Sequence, residues 1–309
     1  MILSRYLTLL VVAIMLVPAA DARILSVGPG REFAAPSAAI AASKDGDTVR
    51  IDAGKYIDCA IVATNHLTIE GVGPNASAVI TDKVCGGKAL LITNGANITI
   101  RNITLQNARI AEGNGAGIRA QGNKLTIDHV KFINNENGIL AGDIPNGEIL
   151  IRDSDFLRNG SCARACAHGV YVGHIALLLV ERSRFVETSE AHHIKSRARR
   201  TEVIGCDFAD GETGTSSYQI EAPNGGNVIV RDNTMQKGPK TGNQLGAVVI
   251  GLGGVDQPTR EIVIEGNRFT VDGGYPSFLV INRTATEVQL NGNVLVGTAK
   301  LLDGPGRAQ

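Results

Sequence analysis

The sequence predicts an all-β solenoid, in which short parallel strands wind coil upon coil around one long core. Three observations carry that expectation. First, one short phrase recurs: LTIDHVKF (125–132), ILIRDSDF (149–156), LLVERSRF (178–185), VIVRDNTM (228–235) and IVIEGNRF (262–269). Weaker copies are ITIRNITL (98–105), TEVIGCDF (201–208) and VQLNGNVL (288–295). Its third residue is always aliphatic: Ile100, Ile127, Ile151, Val180, Val203, Val230, Ile264 and Leu290. These anchors are spaced by roughly two to three dozen residues, the length of one coil in a repeat protein. Second, the fifth residue beyond each anchor is large and apolar, giving Leu105, Phe132, Phe156, Phe185, Phe208, Met235, Phe269 and Leu295. The third beyond ends in Asn233, Asn267 and Asn293, which predicts a stacked asparagine ladder. Third, each coil carries another short apolar run, among them GILA (138–141), HGVYVG (168–173), HHIKS (192–196), YQIEA (218–222) and AVVIG (247–251). The apolar spacing is two and β-branched residues dominate, so these runs are strands and not helices.

In chain order, Met1–Arg5 is a short basic start and Tyr6–Val17 an apolar run of about a dozen residues, too short to span a bilayer. Small residues follow at Pro18–Ala22. This pattern predicts a secretory signal peptide over 1–22, and hence one mature domain over 23–309 that is secreted or periplasmic and free of the membrane once cleaved. Pro36–Ser43 is Ala-rich and predicts a short N-terminal capping helix over the first coil, whose strand edges and core would otherwise be open. Five cysteines suit an oxidising compartment. Cys162 with Cys166 and Cys59 with Cys85 are candidate pairs, and Cys206 is left over at a core position.

These repeats, with the opening VGPGREFAAPSAAIAASKDGDTVRIDAGKY (27–56), resemble the right-handed parallel β-helix family, the pectate-lyase-like fold, over nearly all of the mature chain. The resemblance implies a single-stranded right-handed parallel β-helix solenoid; the tight hexapeptide spacing of left-handed forms is missing. The phrases HGVYVG, HHIKSRA and DGETGTSSYQIEAPNGG are similar to those of bacterial β-helix-repeat proteins.

A solenoid turns EAHHIKSRARR (190–200) into a question of facing. If Ile194 is core, alternation sends His192 and Ser196 inward and His193, Lys195 and Arg197 outward. Aligning coils on their core residues sets Tyr171 beside Lys195 on one side, and Gln219 and Glu221 on the other. Arg119 falls farther along the same face. The expected catalytic residues are therefore Lys195, Arg197, His193 and Tyr171. The expected substrate-binding residues are Arg119, His168, Gln219, Glu221 and Asn224. The loops Arg158–Ala167 and Ala209–Ser217 are expected to wall this groove.

That set suits β-elimination or epimerisation on an acidic, uronate-containing polysaccharide. The proton beside a uronate carboxylate leaves only if the carboxylate is neutralised and the enolate stabilised. An arginine can clamp a carboxylate, a lysine or tyrosine can take the proton, and a histidine can protonate the leaving oxygen. An inverting glycoside hydrolase is the alternative on the same fold, but it needs two separated carboxyl groups. HIKSR resembles the arginine-lysine motif of polygalacturonases, while that family's paired-aspartate and Gly-His-Gly motifs are missing. A non-catalytic polysaccharide-binding solenoid is the third reading. With 30 basic and 30 acidic residues there is no field for nucleic acid. The adjacent His192 and His193 do not suit zinc, and no cofactor is expected, calcium through Asp207, Asp210 and Glu212 being the one possibility raised. A monomer is expected.

Overall fold

The computed structural model describes residues 22–308. The expected signal peptide lies almost wholly outside them. No helix among the described residues is long and apolar enough to cross a membrane. The chain winds through three parallel sheets, one of twelve strands and two of ten. Each coil contributes one strand to each sheet. A representative coil runs Ile175–Glu181, Arg184–Val186, Ile194–Ser196, and the next runs Arg200–Ile204, Asp207–Ala209, Ile220–Ala222.

The repeat phrase is the first strand, a tight corner and the second strand. All the anchors lie in register, Ile100 against Ile127, Ile151, Val180, Val203, Val230, Ile264 and Leu290 in turn. Two residues beyond each anchor the chain must turn sharply. That position adopts positive φ throughout, filled by Asn102, His129, Asp153, Arg182, Gly205, Asp232, Gly266 and Gly292. Asn, Asp and Gly are the residues that tolerate it most cheaply.

Inside the corner, the rings of Phe132, Phe156, Phe185 and Phe208 stack with centroids 4.6, 4.5 and 5.0 Å apart. The asparagine ladder is present and longer than the sequence suggests. Asn293 Oδ1 accepts from the Asn267 backbone N–H (3.0 Å), Asn267 from Asn233 (3.0 Å), and Asn233 from Cys206 (2.8 Å). It continues through Cys206 Sγ, Ser183 Oγ and Ser154 Oγ to the N–H of Val130. Cys206 is thus a buried rung, its thiol pushed up to about 12 by burial. A helix over Pro36–Ala42 buries Pro36, Ala39 and Ile40 against the first coil, as expected. Both candidate disulfides form, Cys59–Cys85 and Cys162–Cys166.

Candidate functional site

The outer face of the third sheet carries one column of side chains along the solenoid axis. In register it reads Ile92, Arg119, Leu140, Tyr171, Lys195, Glu221, Val249 and Ile281. The polar trio Tyr171, Lys195 and Glu221 is flanked by apolar neighbours, so its charges have few competitors. Lys195 Nζ lies 3.0 Å from Glu221 Oε2 and 5.9 Å from the Tyr171 ring centre. The side-by-side placement expected from the repeat is therefore present.

Beside this column runs a stack of rings. His168 and His192 are parallel at 4.8 Å, His192 and Tyr218 at 5.1 Å, and Tyr171 meets the His168 ring edge-on at 5.3 Å. Backbone hydrogen bonds lock the rings. The His192 N–H donates to His168 Nδ1 (3.1 Å) and the Tyr218 N–H donates to His192 Nδ1 (3.1 Å). Because each Nδ1 accepts, the proton of the neutral ring sits on Nε2. His192 Nε2 lies 3.1 Å from Glu221 Oε2. Neither His192 nor Lys195 meets that oxygen along a well-aligned hydrogen bond. The ammonium charge and the imidazole N–H dipole hold it instead. Burial works to raise Glu221, but His192 and Lys195 overcome it and keep the carboxyl down at about 2. Burial lowers His192 against the pull of Glu221, and drives His168 well below the ordinary imidazole range with help from His192 and Lys195.

On the other side, Arg197 reaches both Tyr171 and Asn224. Its Nε donates to Tyr171 Oη at 3.3 Å and its Nη1 to Asn224 Oδ1. Asn224 Nδ2 in turn donates to Asp256 Oδ2 (3.1 Å) and to the Gly254 carbonyl (3.2 Å). Glycine is required at 173, since a Cβ would lie 2.7 Å from the backbone carbonyl carbon of Gly142 and 2.8 Å from its oxygen.

Several expected residues are placed differently. His193 is fully buried and takes no part in the exposed face. It packs edge-on against Phe185 and Phe208, with Thr188 Oγ1 at 2.7 Å and Asp210 Oδ1 at 3.1 Å. The physical reason is local. The strand begins only at Ile194, and the chain bends at His193, so strict alternation does not extend back to it. His192 is the imidazole that faces out, the reverse of the expectation. Gln219, one coil on at the same bend, is likewise fully buried, with Nε2 donating to the Gln236 carbonyl. His168 is 2% exposed, so it supports the ring stack and offers a polymer almost no surface. Asn224 is also buried and holds Arg197. The signal for His192 was present: His168, His192 and Tyr218 occupy one position in successive repeats.

The loops around 158–167 and 209–217 contribute to an open cavity of about 350 Å³, lined by Arg109, Arg158, Ser161, Glu190, Thr213 and Thr215; none of the expected site residues lines it. Asp210 is turned inward onto His193 while Asp207 and Glu212 are exposed, so these three do not converge on a cation. Among the described residues one group of possible metal ligands gathers, Asp128, His129 and Asp153, and Arg182 already binds Asp153 with two hydrogen bonds.

Three parallel sheets wound into one coil, with a polar face along one of them, define a right-handed parallel β-helix protein. Residues 144–301 match the family model described as a right handed beta helix region, and the chain belongs to that family. Among solved structures it is similar to an alginate lyase from Paenibacillus sp. str. FPU-7, at 18% identity and TM-score 0.66, covering 92% of this chain and 99% of that one. It is also similar to Escherichia coli ybhc, at 14% identity and TM-score 0.56, covering 94% and 88%. These likenesses are of fold. No curated protein matches the sequence.

Proposed function

We propose that this is an exported protein that acts on an acidic, uronate-containing polysaccharide by breaking the C5–H bond of a uronate, leading to β-elimination or epimerisation. One observation carries the reading: Tyr171, Lys195 and Glu221 stand side by side on an outer face, with Arg197 reaching the Tyr171 hydroxyl. Lys195 and Arg197 supply the positive charge that a uronate carboxylate and its enolate need. Lys195 is ion-paired to a buried carboxylate, so its role is that of a fixed cation. The proton acceptor is Tyr171 Oη as the phenolate, whose negative charge the Arg197 guanidinium holds until the C5 proton is taken and the phenol is neutral. In elimination, the C5–H electrons form the C4–C5 double bond and the glycosidic oxygen leaves with a proton, which Tyr171 can return. In epimerisation, Tyr171 keeps the abstracted proton and a solvent water protonates C5 from the opposite face, the hydroxide left behind taking the proton from Tyr171 through solvent. His192, its Nε2–H turned to Glu221, orients that carboxylate behind Lys195. A hydrolase is disfavoured because Glu221 is engaged by two groups and no second carboxylate stands in the column.

Incubation of the mature protein with polymannuronate, polyguluronate and polygalacturonate tests this. Elimination yields an ultraviolet-absorbing unsaturated product, and epimerisation changes the C5 configuration seen by proton NMR. New reducing ends without unsaturation would indicate hydrolysis, and binding without turnover a non-catalytic solenoid. Either result would overturn the proposal.

A further inference from the structure

Arg119 was expected to bind substrate farther along the face that carries Lys195. The register sets how far. Arg119 pairs with Leu140, Leu140 with Tyr171, and Tyr171 with Lys195. Three strand spacings put Arg119 roughly 14 Å from Lys195 along the axis.

Its surroundings are unusual for this molecule. Several other arginines are neutralised by acids on neighbouring coils: Arg50 and Arg101 by Glu70, Arg152 by Glu181, Arg182 by Asp153. Arg119 sits between Ile92 and Leu140, half-buried, and its Nε is buried without a hydrogen-bond partner. Burial alone shifts its guanidinium, downward, with no carboxylate near enough to oppose it. A buried, unpaired N–H on a cation costs stability of about 1–3 kcal/mol or more. The guanidinium lines a cavity of about 220 Å³, whose exposed rim holds Lys88, Glu112 and Asn114. This is a preformed seat for one small anionic group.

We infer that the Arg119 cavity is a second anion subsite, separate from the Tyr171–Lys195 centre and aligned with it along the solenoid axis, which receives a carboxylate of the same acidic polymer several sugars away from the reacting one. The inference rests on the proposed function for the identity of the polymer, but the anion seat stands on its own geometry. It makes the preferred ligand a chain with repeated negative charge, lying parallel to the axis.

The test uses Arg119→Met, which keeps the aliphatic stem, with Arg119→Gln as a second variant. In a Tyr171→Phe background, to prevent turnover, binding of oligouronates is measured from the disaccharide up to chains long enough to run from Lys195 past Arg119. The parent should gain roughly ten-fold in affinity once the chain reaches Arg119. The Arg119 variants should lose that gain and bind the disaccharide unchanged. Equal weakening at every length, or no weakening at any, would overturn the inference. A second arm uses sulfate alone, against chloride at matched ionic strength. Sulfate should raise the melting temperature of the parent more than that of Arg119→Met, and an equal or absent response in both would remove the anion seat. Sulfate selectivity with no oligouronate binding would keep the seat and remove the proposed polymer. Without ligand, Arg119→Met should melt at a higher temperature than the parent.

Discussion

Lys195 and Glu221 lie directly opposite each other on adjacent strands, Nζ 3.0 Å from Oε2, although a full coil of chain separates them. The pair is only partly open to solvent, with 20% and 9% of the side chains exposed. Glu221 therefore depends on Lys195 more than a surface acid would.

This changes what the simplest mutation should do. A lysine on an outer face would ordinarily be removed at little cost. Here Lys195→Met should abolish turnover and also destabilise the fold by about 1–3 kcal/mol, because it strips a mostly buried carboxylate of its cation. Adding Glu221→Gln should recover most of that stability and none of the activity. Denaturant melts of the two single variants and the double variant measure the coupling.

The two adjacent histidines should separate cleanly. His193→Ala removes the buried partner of Asp210, whose carboxyl also takes the Ser216 hydroxyl. It should cost on the order of 3 kcal/mol. His192→Ala should cost less stability and lower turnover by loosening Glu221. Thermal melts and initial rates on the same preparations distinguish a structural from a positioning residue.

Acid should lower the stability of the fold in two pH windows. His168 and His192 are pushed below the ordinary 6.5, so the unfolded chain binds protons that the fold refuses. That contribution is complete above pH 6.5 and is lost as the pH falls below it. Glu221 is held at about 2 against an ordinary 4.5. Its contribution, about 3 kcal/mol, is complete above pH 4.5 and is lost as the pH falls toward 2. His168→Asn keeps an acceptor for the His192 N–H and should reduce the upper stage to the part that His192 contributes. Glu221→Gln should flatten the lower one. Chemical denaturation at a series of pH values reads both.

Asn233 is a rung of the inner ladder. Its Oδ1 takes the Cys206 N–H, and its Nδ2 donates to the Val203 carbonyl (3.0 Å) and to Asn267 Oδ1 (2.9 Å). Asn233→Ala orphans buried groups and should cost about 1–3 kcal/mol. Cys206→Asn, which supplies the side chain used by the following rungs, should be tolerated. Melting temperatures of the two variants give opposite outcomes if the ladder is structural.

The sequence made the register legible because one coil's core residue must lie on the next. Val170, Ile194 and Ile220 occupy the same core position in successive coils, and with them Tyr171, Lys195 and Glu221 fall in line. Ser154, Ser183 and Cys206 were harder to recognise as ladder rungs, since serine and cysteine take the place that asparagine fills in later coils, each accepting the equivalent backbone N–H. His193 and Gln219 were placed on the wrong face because alternation is a property of a strand, and both sit at the bend before one. Asn224 and His168 act through other side chains, a role that depends on distances and not on spacing. Arg119 was correctly put on the face, but its missing partner is visible only in three dimensions.

Both elimination and epimerisation begin by breaking one bond, so the most direct measurement is exchange of the uronate C5 proton with solvent deuterium, followed by NMR and mass spectrometry on polymer and products. Wild-type protein should introduce deuterium at C5 of epimerised residues, or remove the C5 proton altogether in unsaturated ends, and Tyr171→Phe should do neither while remaining folded. A wild-type protein that leaves C5 protons untouched in every uronate polymer, or a Tyr171→Phe variant as active as the parent, would contradict the assignment of this face as a proton-abstracting site.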